Sequence, residues 1–274
     1  MVDLPPVAEG WRDPGHEHGL ERELEVAIGA ARSAGTIHVD HYERLERIVH
    51  KSEKDVVTEV DHLSEAAILE AIREAFPDDA FLAEESGVSG IPADRLWVID
   101  PLDGTVNYAN GIPFFAVSIG LVIDGHPVLG VVLDPVRDEL FHAVSGGGAF
   151  LDGSPIHNPG KERISDAVVH LGLPRSGFAR QSTRYRRAVR ITRQMGSATL
   201  SLTYVANGRF DAYVQWQGLS TWDICAAGVI ATEGGAVVTS RLGNRWFDVG
   251  MPSRSIGIVA AMPQHHATYL EMLA

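Results

Sequence analysis

Four apolar residues, Leu96-Trp97-Val98-Ile99, run without a break into Asp100-Pro101-Leu102-Asp103-Gly104-Thr105. A short apolar run bounded by turn residues reads as a buried strand, so a carboxylate, Asp100, is delivered to the end of a core element. Pro101 fixes φ and turns the chain, and Gly104 permits close approach of backbone to a ligand. Asp103 or Thr105 can cap the short helix that Asn110-Gly111 would end. Two acids then converge beside the N–H groups of a helix N-terminus, an arrangement suited to hard cations and an anion held together. Taken alone, the segment is equally well explained as a capped turn with two solvated acids.

The chain has 274 residues, 45% hydrophobic and 22% charged, which suggests one large domain or two closely packed halves around a substantial core. No apolar run approaches the roughly 20 residues of a membrane span. Residues 1–18 are rich in Pro, Gly and acids and lack an apolar signal core, so they read as a flexible tail. The single Cys225 excludes an internal disulfide and fits a reducing cytoplasm. Lys plus Arg is 23 and Asp plus Glu is 36, so the net charge is 23 − 36 = −13. Such a chain repels nucleic acid, and it repels phosphate unless bound divalent cations reverse the local sign.

Apolar spacing predicts an amphipathic helix from Leu20 to about Arg47, and a second with Ala66, Ile68, Leu69, Ile72 and Phe76 on one face, capped by Asp61 and stopped by Pro77. Phe81 to Ala83 is strand-like and ends in Glu84-Glu85-Ser86-Gly87. From Phe115 to Leu151 short strands separated by Asp124-Gly125, Asp134-Pro135, Gly146-Gly-Gly148 and Asp152-Gly153 predict an antiparallel meander. Asn158-Pro-Gly-Lys161 reads as a boundary between an N-terminal α+β half, 19–160, and a C-terminal α/β half, 161–274. In the latter, strands at Val168, Asp211, Ala236 and Ile256 alternate with helices over Thr183–Met195, Ser197–Ala206, Asp223–Thr232 and Pro263–Leu273.

Two further acidic pieces stand out. Glu84-Glu85 sits at a strand end, and Asp223 opens the apolar helix of Thr221-Trp222-Asp223-Ile-Cys-Ala-Ala-Gly228. Singly, these read as a solvated turn and a helix cap. The Asp-x-Asp-Gly-Thr pattern of phosphoaspartyl phosphatases competes for the central segment but needs acids at i and i+2. Asp100 and Asp103 are one residue further apart with proline between them, which argues against an aspartyl nucleophile.

Together, Glu84-Glu-Ser, Asp100-Pro-Leu-Asp-Gly-Thr105-Val-Asn-Tyr108 and Trp222-Asp-Ile-Cys-Ala-Ala-Gly228 resemble, in order and spacing, the signature segments of the inositol monophosphatases. Thr58-Glu-Val-Asp61 and Gly196-Ser-Ala198 match further family segments, so the resemblance spans about Leu20 to Leu273. It implies a layered αβαβα sandwich and a Mg²⁺-dependent, lithium-sensitive, cytoplasmic and homodimeric phosphatase. The implied reaction is hydrolysis of a small phosphorylated polyol, foremost myo-inositol 1-phosphate, by metal-activated water. Fructose-1,6-bisphosphatase, histidinol-phosphatase and nucleotide 3′-phosphatase are alternatives of the same chemistry, and a non-catalytic interaction module is the alternative of a different class.

Residue by residue, the resemblance implies that Glu84, Asp100 and the Leu102 carbonyl hold one Mg²⁺, while Asp100, Asp103 and Asp223 hold a second. A third, weaker ion would share Glu84. An all-oxygen set is what Mg²⁺ prefers. Thr105, hydrogen-bonded to Asp61, would orient and help deprotonate the attacking water. The N–H groups of Gly104 and Thr105 and the Gly196-Ser197-Ala198 segment would contact substrate, and Lys51 would lie in a mobile loop.

The chain also departs from the family pattern. Members that handle inositol carry a Glu just after the strand beginning here at Asp211. Counting forward places Gln215 there, and counting back from Asp223 places Trp216 there, as if one residue were inserted. Gln215 would offer a polyol a neutral hydrogen bond. Between Ala167 and Phe210 there is no acid, yet Arg175, Arg180, Arg184, Arg186, Arg187, Arg190, Arg193 and Arg209 occur. A solvated helix face or dimer contact is the simpler reading, and a site for a second phosphate is the alternative. Gly146-Gly-Gly148 lacks the residues of a P-loop and reads as a hairpin turn. His265-His266 reads as surface, and Cys225 as a small packed residue.

Overall fold

The computed structural model describes residues 19–42, 48–52, 55–90, 94–174 and 177–274; the expected N-terminal tail lies outside them. Helix α1 (Glu21–His41) buries Ala27, Ala30, Ala31 and Ala34, with Glu21 and Glu23 in its first turn, where they complement the helix dipole. It ends short of the expected Arg47, and residues 43–47 fall outside the described part. Strands β1 (Ile48–Ser52) and β2 (Asp55–Thr58) form a two-stranded antiparallel ribbon. Helix α2 (Glu59–Ala75) is capped by Thr58 rather than by Asp61. Asp61 is its N3 residue and closes a reciprocal capping box, its carboxylate accepting the Thr58 N–H.

Next come β3 (Ala80–Ala83), β4 (Gly87–Ser89), β5 (Arg95–Asp103), the one-turn α3 (Thr105–Ala109), β6 (Ala116–Ile123), β7 (His126–Asp134), β8 (Glu139–Val144), β9 (Gly148–Leu151) and β10 (Ser154–Ile156). They build an eight-stranded sheet in the order β10-β9-β8-β7-β6-β5-β3-β4. All its neighbours are antiparallel except β3 and β5. The expected meander is present. Its Asp124-Gly125 and Asp152-Gly153 turns take positive φ at both central residues, the geometry that matches strand twist in two-residue hairpins.

The remainder supplies β11 (Val168–Gly172), α4 (Ala179–Ala188), β12 (Ile191–Arg193), α5 (Ala198–Thr203), β13 (Ala212–Leu219), α6 (Thr221–Glu233), β14 (Val237–Ser240), β15 (Ile256–Ala261) and α7 (Pro263–Leu273). The five-stranded sheet runs β12-β11-β13-β15-β14. The helix expected over Thr183–Met195 ends at Ala188, because Ile191-Thr192-Arg193 pairs with Val168-Val169-His170 as an edge strand. The β-branched Ile191 and Thr192 favour that outcome once a partner strand is present.

The layers are α1/α2, large sheet, α5/α6, small sheet, α4/α7. Helices α1 and α2 cover the sheet face bearing Trp97, Ile99, Val117, Ile119 and Leu133. The opposite face, with Val98, Val132 and Phe141, meets α5 and α6, which in turn meet Tyr213, Ile258 and Ala260 of the small sheet. Tyr185 of α4 and Tyr269 of α7 close the far side over Val169, Val214 and Val259. Being in the middle layer, α6 is buried nearly all round. It comes close because β7 carries glycine at 130, where a Cβ would lie 2.3 Å from the Ala226 carbonyl oxygen. Cys225 is buried against Gly120.

The central core draws on residues from both sides of the expected boundary, and Asn158 is itself buried, donating to the Val205 carbonyl at 2.8 Å. In the Gly146-Gly-Gly148 turn, the Gly146 and Gly148 N–H groups donate to the Glu233 carboxylate. Contrary to its surface reading, His266 is buried beside Thr239.

Candidate active site

The parallel pair β3–β5 places Ala83 opposite Ile99, and the Glu84 N–H donates to the Ile99 carbonyl at 3.1 Å. Glu84 and Asp100 therefore follow side by side the last pair of the parallel β3–β5 ladder, at its carboxyl end, the usual place for a site in parallel segments. Between Asp100, opposite Ser118, and Asp103, opposite Ala116, β5 bulges by one residue. The Leu102 N–H turns back to Asp100 Oδ1 at 3.1 Å. Asp223 arrives from the opposite wall as the N3 residue of a second capping box, its Oδ2 accepting the Ser220 N–H at 2.7 Å.

Asp100, Asp103 and Asp223 each present a carboxylate oxygen within 4.8 Å of the others. Burial holds the Asp100 carboxyl well above the usual range, and repulsion from Glu84, Asp103 and Asp223 raises it further. Asp223 is likewise raised by burial and by Asp103, with the Ser220 N–H and the Arg254 charge pulling the other way. Asp103 is raised by burial against hydrogen bonds from Ser197, Thr199 and Ala198. Two buried acids and a partly buried third, an all-oxygen donor set, match a hard divalent cation, whose charge removes the repulsion.

Beside them, Thr105 Oγ1 lies 3.2 Å from Asp61 Oδ1 and 3.1 Å from the Leu102 carbonyl oxygen. Its one proton can serve only one acceptor at a time. The other Asp61 oxygen is taken by the Thr58 N–H and hydroxyl, at 2.8 and 2.7 Å, so Oδ1 is directed at Thr105. Burial is the main cause of Asp61's raised pKa. Gly104, at φ +98, opens α3; a Cβ there would sit 3.1 Å from the Phe114 carbonyl oxygen.

The Gly196-Ser197-Ala198 segment faces the same cluster. The fully buried Ser197 hydroxyl donates to Asp103, and the Thr199 N–H reaches the same oxygen at 2.8 Å. Ser197 thus serves a carboxylate through its side chain. Sequence reasoning missed Asn107, whose amide donates to the Phe114 and Met195 carbonyls and fastens α3 to the Gly196 turn. Its signal was present within Asp100–Tyr108, but an Asn inside a short helix points to no long-range partner. Glu65 was missed as well; its carboxylate accepts the Glu85 and Ser86 N–H groups. Lys51 falls in β1, and its side chain lies outside the described part.

On β13, strand alternation puts Gln215 on the face of Tyr213 and Trp216 on the other. Gly172 in β11 leaves room for the Gln215 side chain, which a Cβ there would overlap. Trp216 packs on Phe178 at 4.5 Å and lies under Arg241. In the same stretch β13 bulges against β15: Gln215 pairs with Ile258 and Leu219 with Ile256. Four steps along β13 match two along β15.

The arginines disperse. Arg180, Arg184 and Arg187 line a shallow concavity of about 420 Å³ on the outer face of α4, with the small sheet between them and the carboxylates. Arg190 pairs with Asp166, and Arg209 with Glu139. Arg175 lies outside the described residues. Among the described residues, no helix is long and apolar enough to cross a membrane.

The inositol monophosphatase family model matches residues 20–273. The Nus factor SuhB of Pseudomonas aeruginosa is 41% identical over 83% of this chain and 89% of its own length. Inositol monophosphatase 2 of Solanum lycopersicum is 37% identical over 83% and 90%. The crystal structure of extragenic suppressor protein suhB from Bartonella henselae superposes with a TM-score of 0.85 at 32% identity, covering 92% of this chain and 98% of that one. The match runs through both sheets and every wall of the carboxylate cluster, and the chain belongs to the inositol monophosphatase family.

Proposed function

We propose that this phosphoric monoester hydrolase acts on a small phosphorylated polyol, foremost myo-inositol 1-phosphate, and that its cation is Mg²⁺. The observation that carries the reading is the convergence of Asp100, Asp103 and Asp223 oxygens within 4.8 Å of one another, beside a Thr105–Asp61 pair. These three acids, with Glu84 and the Leu102 carbonyl, would hold the cations. Bound Mg²⁺ supplies charge neutralisation at the phosphate and Lewis-acid activation of water.

The protein's own groups do the rest. Thr105 accepts a hydrogen bond from the attacking water while its hydroxyl proton points at Asp61, so a proton can pass from water to Thr105 and on to Asp61. A carboxylate made more basic by burial suits that role. The N–H groups of Gly104 and Thr105 take phosphate oxygens at the start of α3. Gln215 offers its amide to polyol hydroxyls, and being neutral it gives no preference for a cationic substrate such as histidinol phosphate. The outer position of Arg180, Arg184 and Arg187 lends no support to a second-phosphate site. Relatives named as Nus factors do not displace this reading, because an interaction module has no use for three acids brought together, two of them buried, at such electrostatic cost. The lone Cys225 favours the cytoplasm, and a homodimer and inhibition by Li⁺ follow from the family resemblance.

Phosphate release with Mg²⁺ from inositol 1-phosphate, fructose 1,6-bisphosphate, histidinol phosphate and adenosine 3′,5′-bisphosphate tests the proposal. Inositol 1-phosphate should give the highest kcat/KM. A clear preference for either bisphosphate would overturn the substrate, and full activity in excess chelator would overturn the metal.

A further inference from the structure

Glu65 is a carboxylate with 4% exposure, and among the described residues no cation pairs with it. Its two oxygens instead accept two consecutive backbone N–H groups, Glu85 to Oε2 and Ser86 to Oε1, each at 2.9 Å. A buried charge is tolerated only where hydrogen bonds replace its lost hydration, and bonds to an ionised acceptor are the strong ones. Two adjacent donors on two oxygens of one group fix both the position and the rotation of the turn that carries them. That turn begins with Glu84, whose N–H is anchored to the Ile99 carbonyl of β5. One end of Glu84 is thus tied to the sheet and the other, through Glu85 and Ser86, to α2.

Asp61 stands one turn before Glu65, at i and i+4, so both point from the same face of α2. Asp61 reaches Thr105 and Glu65 reaches the Glu84 turn. One rigid helix therefore sets the distance between the water-orienting hydroxyl and an acid beside Asp100. We infer that Glu65 is a positioning residue that aims Glu84 at the cation, and that α2 acts as the spacer between the two loops. The inference rests on the proposed metal-binding role of Glu84.

The test is calorimetric titration of metal-free protein with Mn²⁺, without substrate, for wild type and Glu65→Gln. The amide keeps one acceptor but sets an NH₂ against a backbone N–H. Mn²⁺ binding should weaken about tenfold, as expected for loss of one charge-assisted bond. The Mg²⁺ concentration for half-maximal activity should rise in parallel, while KM for substrate at saturating Mg²⁺ stays nearly constant. Lowered thermal stability with unchanged Mn²⁺ affinity would mean a purely structural role and would overturn the inference. Should Glu65→Gln not fold, Glu65→Asp, which keeps the charge but not the reach, must show the same weakening, and wild-type Mn²⁺ affinity there overturns it equally. A wild type that binds no Mn²⁺ would overturn the metal-binding reading and the inference with it.

Discussion

Two regions concentrate like charge, and they differ in every other respect. Asp100, Asp103 and Asp223 lie 123 positions apart at their extremes (223 − 100), the first two on β5 and the third on α6, yet their oxygens meet within 4.8 Å, with Asp100 and Asp103 buried and Asp223 partly buried. Arg180, Arg184 and Arg187 are neighbours along one helix face, yet they point outward from the fifth layer. Water screens the arginines, so their proximity costs little and asks for no ligand. The aspartates are largely withdrawn from water, and their repulsion weighs heavily until a cation or a proton neutralises it. A run of like charge in sequence is therefore weak evidence of a site, whereas like charges that folding drives together in the interior are strong evidence.

The largest effect should come from breaking the buried cluster. Asp100→Asn and Asp223→Asn should each abolish phosphate release, since each removes a negative ligand at constant volume. Because the same change relieves buried repulsion, the metal-free variants should melt no lower than wild type in differential scanning calorimetry. Near-normal turnover, or a steep loss of metal-free stability, would break the contrast on its acidic side.

Titration sharpens the same contrast. The three aspartates have pKa values raised above those of the unfolded chain. In the window between the unfolded and folded values the folded state holds more protons, so these groups reduce stability as pH rises through it. Protons and the cation compete for the same oxygens. The rise in Tm produced by Mg²⁺ should therefore be greatest near pH 8 and shrink toward about pH 5. Comparing melts with and without Mg²⁺ at each pH cancels the opposite contribution of buried His38 and His170, lowered to about 3 and about 4. A Mg²⁺ shift independent of pH would mean that the ion binds elsewhere.

A smaller change is expected at the rim. Gln215→Glu should lower KM for inositol 1-phosphate about fivefold, the worth of exchanging a neutral for a charged hydrogen bond. No change would assign the polyol contact to another residue. The smallest effect belongs to the basic face: Arg184→Gln and Arg187→Gln should leave KM for a monophosphate and a bisphosphate within about twofold of wild type, as for exposed charges. A tenfold rise confined to the bisphosphate would return these residues to the site and dissolve the comparison.

Much of the fold was legible because its signals are local. The apolar run ending at Asp100, the Asp-Gly hairpins and the apolar helix after Asp223 all announce themselves within a few residues. The errors arose where a local rule met a distant partner. Ile191-Thr192-Arg193 continues a helical pattern until β11 offers a ladder, and Asp61 resembles a cap until Thr58 takes that role and frees one oxygen for Thr105. The choice between Gln215 and Trp216 had no local answer either, since it depends on a bulge against β15 and on which face of the sheet meets the cluster.

By itself, the sequence determined which groups are available: an oxygen-only donor set, a hydroxyl beside a capping acid, and turns that bring each acid to the end of an element. Those are properties of short segments, set by side-chain chemistry, backbone sterics and hydrogen bonding between near neighbours. Only the tertiary structure decided that Ser197 secures Asp103, that Glu65 holds the Glu84 turn, and that the arginines face solvent behind a sheet. Each depends on burial and on contacts between residues far apart in the chain. The electrostatic weight of a charge comes from the dielectric around it, and that is set by the packing of layers rather than by sequence neighbours.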